Sequence, residues 1–135
     1  MSGYDPAPVR ILLDAGAVRR LADGSGRSVA LLSTLRQRGL WPAQVPTVVV
    51  AEALSGELDA DRQVEALLRC CAVVTQIDGS VARRAAWLRA AVNRGSTTDA
   101  LLVALAEPGG AILVANRPSV EAMALFATGV FVERV

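Results

Sequence analysis

The 135-residue sequence contains no histidine. That absence excludes Ser/His/Asp triads, Cys/His dyads, imidazole acid-base catalysis and every zinc site that uses histidine. The only two cysteines, Cys70 and Cys71, are adjacent. Such a pair is too strained for an ordinary disulfide and too small for a zinc site, so we interpret both as core residues. Carboxylate chemistry is what remains.

The sequence also lacks a signal-peptide pattern, an apolar run of membrane-spanning length and a disulfide framework. We therefore expect a cytoplasmic protein with no membrane partner. The net charge of +1 is low for a generic nucleic-acid-binding domain, although a few of the many arginines could line a groove for phosphates. No Gly-x-Gly-x-x-Gly or Walker-type loop is present, so a nucleotide-binding or phosphatase fold is the weaker prediction.

Hydrophobic residues make up 53% of the chain and charged residues 20%, which indicates one globular domain over residues 1–135. Strand-like and helix-like segments alternate along it, which favours an α/β fold with a mostly parallel sheet of about five strands. Predicted strands lie at residues 9–14, 45–50, 70–77, 111–115 and 130–132. Predicted helices lie at residues 17–22, 28–38, 61–68, 82–92 and 119–127, with two more that carry Glu52 and Asp99.

Two helix starts can be assigned from capping residues. Asp78 precedes the helix of residues 82–92 and is expected to cap it. Thr97 or Thr98 is expected to cap the helix that carries Asp99. The strand that begins at Val45 contains Pro46, which cannot donate a ladder hydrogen bond, so we expect a brief strand that passes into a helix.

Three carboxylates occur where apolar segments meet helices. Asp14 ends the first strand, Glu52 follows the second by a few residues, and Asp99 opens a helix that leads to another strand. Ligands of parallel sheets bind at the carboxyl ends of the strands, so topology predicts that these side chains converge. A divalent cation held by oxygen atoms would account for all three acids together.

Three segments, in this order, resemble PIN-domain ribonucleases: residues 11–14, 48–54 and 96–106. The resemblance covers nearly the whole chain, whose size is similar to that of VapC-type toxins of toxin-antitoxin pairs. It implies a three-layer α/β/α domain in which Asp14, Glu52 and Asp99 hold Mg²⁺ or Mn²⁺ and catalyse cleavage of RNA. It also implies an antitoxin partner whose Arg or Lys can pair with the carboxylates. A homodimer is expected as well.

The sequence departs from the family pattern at two places. Ala15 follows Asp14 where the family commonly has a hydroxyl residue, and Asn116 stands where a fourth acid is expected. Asn116 is assigned to the catalytic group in a supporting role, since its amide oxygen can accept from metal-bound water. It brings no negative charge, so metal affinity and water activation should fall. Because it precedes Arg117-Pro118, Asn116 could equally be a turn residue.

Each acid also has a simple structural interpretation. Asp14 could cap the following turn, Glu52 could be an exposed helix residue, and Asp99 lies in a first helical turn, where acids interact favourably with the helix dipole.

Two other functions therefore remain open. The first is a catalytically weakened or inactive PIN-like protein that still binds RNA or a partner. The second is a pure interaction module for a homodimer or an antitoxin segment. A candidate surface for that module surrounds Trp41, Val45 and Leu54, for which core packing is the alternative use.

Overall fold

The structure is a computed structural model, and it describes residues 10–92, 96–107, 109–115 and 131–135. Within these ranges the chain forms five strands and six helices. The strands are β1 (Ile11–Leu13), β2 (Gln44–Pro46), β3 (Ala72–Val74), β4 (Ala111–Val114) and β5 (Phe131–Arg134). The helices are α1 (Ala15–Leu21), α2 (Gly26–Gln37), α3 (Thr47–Ala53), α4 (Leu58–Leu68), α5 (Gly79–Val92) and α6 (Thr97–Ala106).

The strands form one sheet in the order β3-β2-β1-β4-β5, and all four neighbouring pairs are parallel. The central strand β1 is buried along its whole length. Since successive side chains of a strand point to opposite faces, burial of Ile11, Leu12 and Leu13 means that both faces of the sheet are covered. The predicted three-layer α/β/α fold with a parallel sheet is confirmed.

Strand order reverses at β1. The chain leaves β1 for β2 on one side and later returns to β4 on the other. The carboxyl end of β1 is therefore the switch point at which open parallel sheets bind their ligands. Asp14 is the residue that follows β1 there.

The predicted change from strand to helix near Pro46 is confirmed. Pro46 is the last residue of β2 and directly precedes α3. The helix contains three successive valines, which have low helix propensity. Val49 is fully buried, so tertiary packing outweighs that local preference.

The prediction for residues 70–77 is wrong in two respects. Only Ala72–Val74 forms a strand, and the strand is not buried, since the side chain of Val73 is 42% exposed. Cys70 is exposed and Cys71 is half-buried, so the pair is not part of the buried core. The strand is exposed because β3 lies at the edge of the sheet.

Hydrogen bonds at the helix starts test the two predictions on capping residues. Asp78 caps α5, because its Oδ1 accepts from the Val81 N–H at 2.9 Å. The residue that caps α6 is Ser96, and the prediction of Thr97 or Thr98 is wrong. The predicted helix of residues 119–127 and the candidate residue Asn116 lie outside the described residues.

The candidate interaction surface around Trp41 belongs to the core. Val45 is 0% exposed, and both Trp41 and Leu54 are half-buried against the core cluster. These three side chains therefore stabilise the domain and do not form an exposed patch. No helix in the described part of the chain is both long and apolar enough to cross a bilayer.

Helix α6 is held at its carboxyl end by two arginines. The Arg10 guanidinium donates to the Ala106 and Glu107 carbonyls, which have no partner within the helix, at 3.1 and 3.2 Å. Arg84 of α5 pairs in a bidentate manner with the Glu107 carboxylate at 2.9 and 3.0 Å. These contacts fix α6 against α5 and against the beginning of β1.

A close approach of α1 to the end of β4 gives a first prediction. A Cβ atom on Gly16 would lie 2.8 Å from the Ala115 Cβ, closer than two carbon atoms pack. Gly16→Val should therefore lower the free energy of unfolding by about 1–3 kcal/mol. Denaturant unfolding of the purified variant measures the change.

The matched control is Gly26→Val, because nothing lies within 4 Å of a Cβ built on Gly26. Its unfolding free energy should stay within about 0.5 kcal/mol of the wild type. Equal stability of both variants would contradict the close packing of Gly16 on Ala115.

Candidate acidic site

Asp14 is fixed at the carboxyl end of β1 by two hydrogen bonds. Its backbone N–H donates to the Leu113 carbonyl at 3.1 Å, which extends the pairing of β1 with β4. Its Oδ1 accepts from the Ala17 N–H at 2.7 Å and so caps α1. The capping role that the sequence suggested is thus present, and the second carboxylate oxygen has no protein donor among the described residues.

Glu52 lies in the last turn of α3 and is exposed, as its simple interpretation as a helix residue predicted. Two contacts link it to other helices. The Thr98 hydroxyl of α6 donates to Glu52 Oε1 at 2.6 Å. The Arg19 guanidinium of α1 donates to the Glu52 carbonyl oxygen at 3.1 Å. These contacts bring α1, α3 and α6 together around Glu52.

Asp99 lies in the first turn of α6 and is half-buried. Its N–H donates to the Ser96 hydroxyl at 3.0 Å, so Ser96 caps the helix, and the nearby Ser96 also lowers the pKa of the Asp99 carboxyl. Ser96 thus fixes the start of α6 next to Asp99.

The electrostatics of the three acids are coupled. Burial raises the pKa of the Asp14 carboxyl, the Ala17 N–H lowers it, and the charges of Asp99 and Glu52 raise it again. Burial is also the main reason that the pKa of Asp99 is raised, with a further contribution from the charge of Glu52. The structure therefore brings the three predicted site residues into one electrostatic environment.

Two of the residues around the acids were not identified from the sequence as site residues. Arg19 places a positive charge that lowers the pKa of Asp14. Thr98 supplies a hydroxyl to the site from α6, whereas Ala15, at the position where a hydroxyl was expected, is a buried apolar residue. The adjacency of Thr98 to Asp99 is the only sequence signal that could have pointed to it.

The residues present can be compared with the needs of a divalent cation. The donors are all carboxylate oxygens, which suit Mg²⁺ and Mn²⁺, and a dication would offset the burial and the smaller repulsion that raise the pKa values of Asp14 and Asp99. In the described ranges, no three His, Cys, Asp or Glu side chains lie close enough to hold one ion jointly. Magnesium keeps several waters and needs few direct protein ligands, so the donor set fits an ion bound partly through water.

A further acid, Asp61, stabilises the loop that follows α3. Its carboxylate accepts from the Ser55 N–H, the Ser55 hydroxyl and the Gly56 N–H at 2.8 to 3.0 Å. These hydrogen bonds, led by that of the Ser55 N–H, lower the pKa of Asp61. Gly56 has a φ of +90°, a conformation that favours glycine. Asp61 thus fixes the chain just beyond Glu52.

Comparison with known proteins bears on the fold alone. No family model and no curated protein matches the chain. Among solved structures, the chain is similar to the crystal structure of PAE2754 from Pyrobaculum aerophilum, with 19% sequence identity and a TM-score of 0.58. The match covers 92% of this chain and 90% of the other. The α/β architecture over nearly the whole length is thus shared with a solved protein.

Proposed function

We propose that the protein is a metal-dependent endoribonuclease of the PIN-domain, VapC-toxin type, acting in the cytoplasm. The observation that carries the proposal is the placement of Asp14 at the switch point of the sheet, together with the hydrogen bond from Thr98, the neighbour of Asp99, to Glu52. Burial without a compensating charge makes ionised carboxylates costly, and a bound cation offsets that cost. RNA, an antitoxin and a second copy of the chain are its proposed partners.

The roles of the side chains follow from their contacts. Mg²⁺ or Mn²⁺, held by Asp14, Glu52 and Asp99, would supply charge neutralisation at a phosphodiester and a more acidic water. The Ala17 N–H orients Asp14, and the Thr98 hydroxyl orients Glu52. Arg19 is exposed next to these acids, so its guanidinium is available to an RNA phosphate.

Calorimetry with Mn²⁺ tests the proposal. Wild-type protein should bind Mn²⁺ and cleave a labelled mixed-sequence RNA only in its presence. Asp14→Asn should weaken Mn²⁺ binding by about tenfold or more, since one anionic oxygen ligand is lost. Asp59→Asn is the control, because Asp59 is an exposed acid that pairs with Arg62 away from the site. Equal Mn²⁺ affinity of wild type and Asp14→Asn would overturn the assignment.

The Thr98 hydroxyl gives a further prediction for the same reaction. Thr98→Val removes the hydrogen bond to Glu52 and keeps a side chain of similar shape. Mn²⁺-dependent cleavage should fall by about 10- to 100-fold, the range found when a group that orients a metal ligand is removed. Thr98→Ser should restore activity. A Thr98→Val enzyme with unchanged rates would show that Glu52 needs no such support.

A second function is favoured by one observation. No trio of possible metal ligands is close enough for a shared ion in the described part of the chain. A catalytically silent PIN-like protein that binds RNA or a partner through the same surface would have this property. In that case RNA would bind without Mn²⁺, no cleavage would occur, and Arg19→Gln would weaken RNA binding while Asp14→Asn would not.

A further inference from the structure

A cavity of about 470 Å³ lies between α2 and the strands β1 and β4. That volume is typical of sites for small molecules. Its lining includes none of the three acids of the candidate site, so it is a separate feature of the domain. The lining side chains decide what kind of molecule fits.

The floor of the cavity is apolar. It is lined by Ile11, Leu31, Leu35, Leu40, Leu113 and Val135. Among the described residues, Thr34 is the one uncharged polar residue of the lining. The main-chain N–H and C=O groups of an inserted peptide would find few partners on such a floor, which is costly. An alkyl chain carries no such groups and suits it better.

The charged residues of the lining, as far as the structure describes it, are the arginines Arg27, Arg38 and Arg134. Arg27 lies in the first turn of α2 and also lines a small second cavity with Val135, the neighbour of Arg134. The acid of that second cavity, Asp23, already accepts from the Ser25 N–H at 2.8 Å. Arg38, the C-cap of α2, is about 16 Å further along the helix. Because Arg27 and Val135 line both cavities, the segment of Arg134 and Val135 approaches the end of α2 that carries Arg27.

These arginines are not used by the ion pairs of the described residues, which join Arg62 to Asp59 and Arg84 to Glu107. Arg134 donates only a long bond, of 3.4 Å, to the Ala115 carbonyl. Since guanidinium pairs best with carboxylate in a bidentate manner, the end marked by Arg27 and Arg134 suits a carboxylate.

We propose that this cavity binds an amphipathic monocarboxylate of the fatty-acid class. The carboxylate pairs with Arg27 and Arg134, and the unbranched alkyl tail lies on Leu31, Leu35 and Ile11. Tail length then determines affinity, because each methylene removed from water contributes about fourfold.

Calorimetry of the full chain with hexanoate, octanoate, decanoate and decanol tests the proposal. Saturable binding at a single site is expected, with affinity rising by about fourfold per methylene along the carboxylates. Decanol, which has the tail without the charge, should bind about tenfold more weakly than decanoate. Arg27→Gln and Arg134→Gln should each weaken decanoate binding by about tenfold and leave decanol unaffected. Arg62→Gln is the control, because Arg62 is an exposed residue that pairs with Asp59 and does not line the cavity. This variant should bind decanoate with wild-type affinity.

Three results would overturn the proposal. The first is the absence of saturable binding by any of the carboxylates. The second is equal affinity for decanol and decanoate, which would indicate an unspecific apolar surface. The third is a concentration-dependent dimer, seen by light scattering, that decanoate does not dissociate and that Arg27→Gln disrupts, because the occupant would then be a second copy of the chain.

Discussion

Asp99→Asn is expected to lower Mn²⁺-dependent RNA cleavage by about 100-fold or more, because loss of a metal ligand should cost at least as much as loss of a group that supports one, which costs about 10- to 100-fold. The substitution keeps the size of the side chain and the backbone N–H that donates to the Ser96 hydroxyl, so the N-cap of α6 can persist. Initial cleavage rates at saturating Mn²⁺ measure the loss. If Asp99→Asn cleaved RNA at the wild-type rate, the assignment of Asp99 to the site would be wrong.

The free energy of unfolding of Asp99→Asn shows whether a loss of activity comes from the lost charge or from misfolding. The folded-state pKa of Asp99 is raised above the ordinary value of 3.8, so between these two values the folded protein binds more protons than the unfolded chain. The contribution of this carboxyl to the free energy of unfolding is therefore fully present below pH 3.8. It is lost as the pH rises through the raised pKa of Asp99 in the folded protein. Above that range, metal-free Asp99→Asn should be more stable than the wild type.

Denaturant unfolding in the presence of a chelator, at several pH values, measures this difference. The wild-type curve also contains Asp61 and Asp23, whose pKa values are lowered by hydrogen bonds and whose contributions have the opposite sign. Subtracting the variant from the wild type cancels Asp61 and Asp23 and leaves the contribution of Asp99, which includes its repulsion of Asp14. A variant that is less stable than the wild type at every pH would mean that the charge of Asp99 is already compensated.

Leu12→Ala is expected to have the largest effect on folding. Leu12 is 0% exposed in the central strand of the sheet. Removing its buried methyl and methylene groups leaves a cavity and should cost about 2–5 kcal/mol of unfolding free energy. That is a large share of the roughly 5–15 kcal/mol that stabilises a typical domain.

Leu58→Ala is the matched control, since the Leu58 side chain is 91% exposed at the start of α4. Its unfolding free energy should stay within about 0.5 kcal/mol of the wild type. Urea unfolding curves of both variants give the comparison. Similar losses in the two variants would mean that burial in the central strand does not determine stability.

Much of the fold could be predicted from the sequence because the relevant signals are local. Alternating apolar segments and breakers predicted the order of strands and helices, and the proline in β2 predicted its short length. The capping role of Asp78 also depends only on neighbouring residues. Ser96 was missed because Ser96, Thr97 and Thr98 are all good N-cap residues, and only the backbone decides among them.

For the candidate site, the order of the acids and the topology of parallel sheets predicted that Asp14, Glu52 and Asp99 lie near one another. The charge of Asp99 contributes to the raised pKa of Asp14, and the Thr98 hydroxyl joins Glu52 to the helix of Asp99. The roles of Thr98 and Arg19 could not be predicted, since their partners are 46 and 33 residues away. The exposure of β3 was missed for a similar reason, because sheet order decides which strand lies at the edge.

Helix α6 links two distant groups of contacts, so a substitution at one end of the helix affects the other end. Its amino end carries Asp99, while Arg10 and Arg84 hold its carboxyl end at Glu107, about 12 Å away along the axis. A hydrogen-bonded helix of this length moves as a stiff rod, so a shift at one end displaces the other. The position of Asp99 thus depends on the Arg84–Glu107 ion pair at the opposite end of the helix.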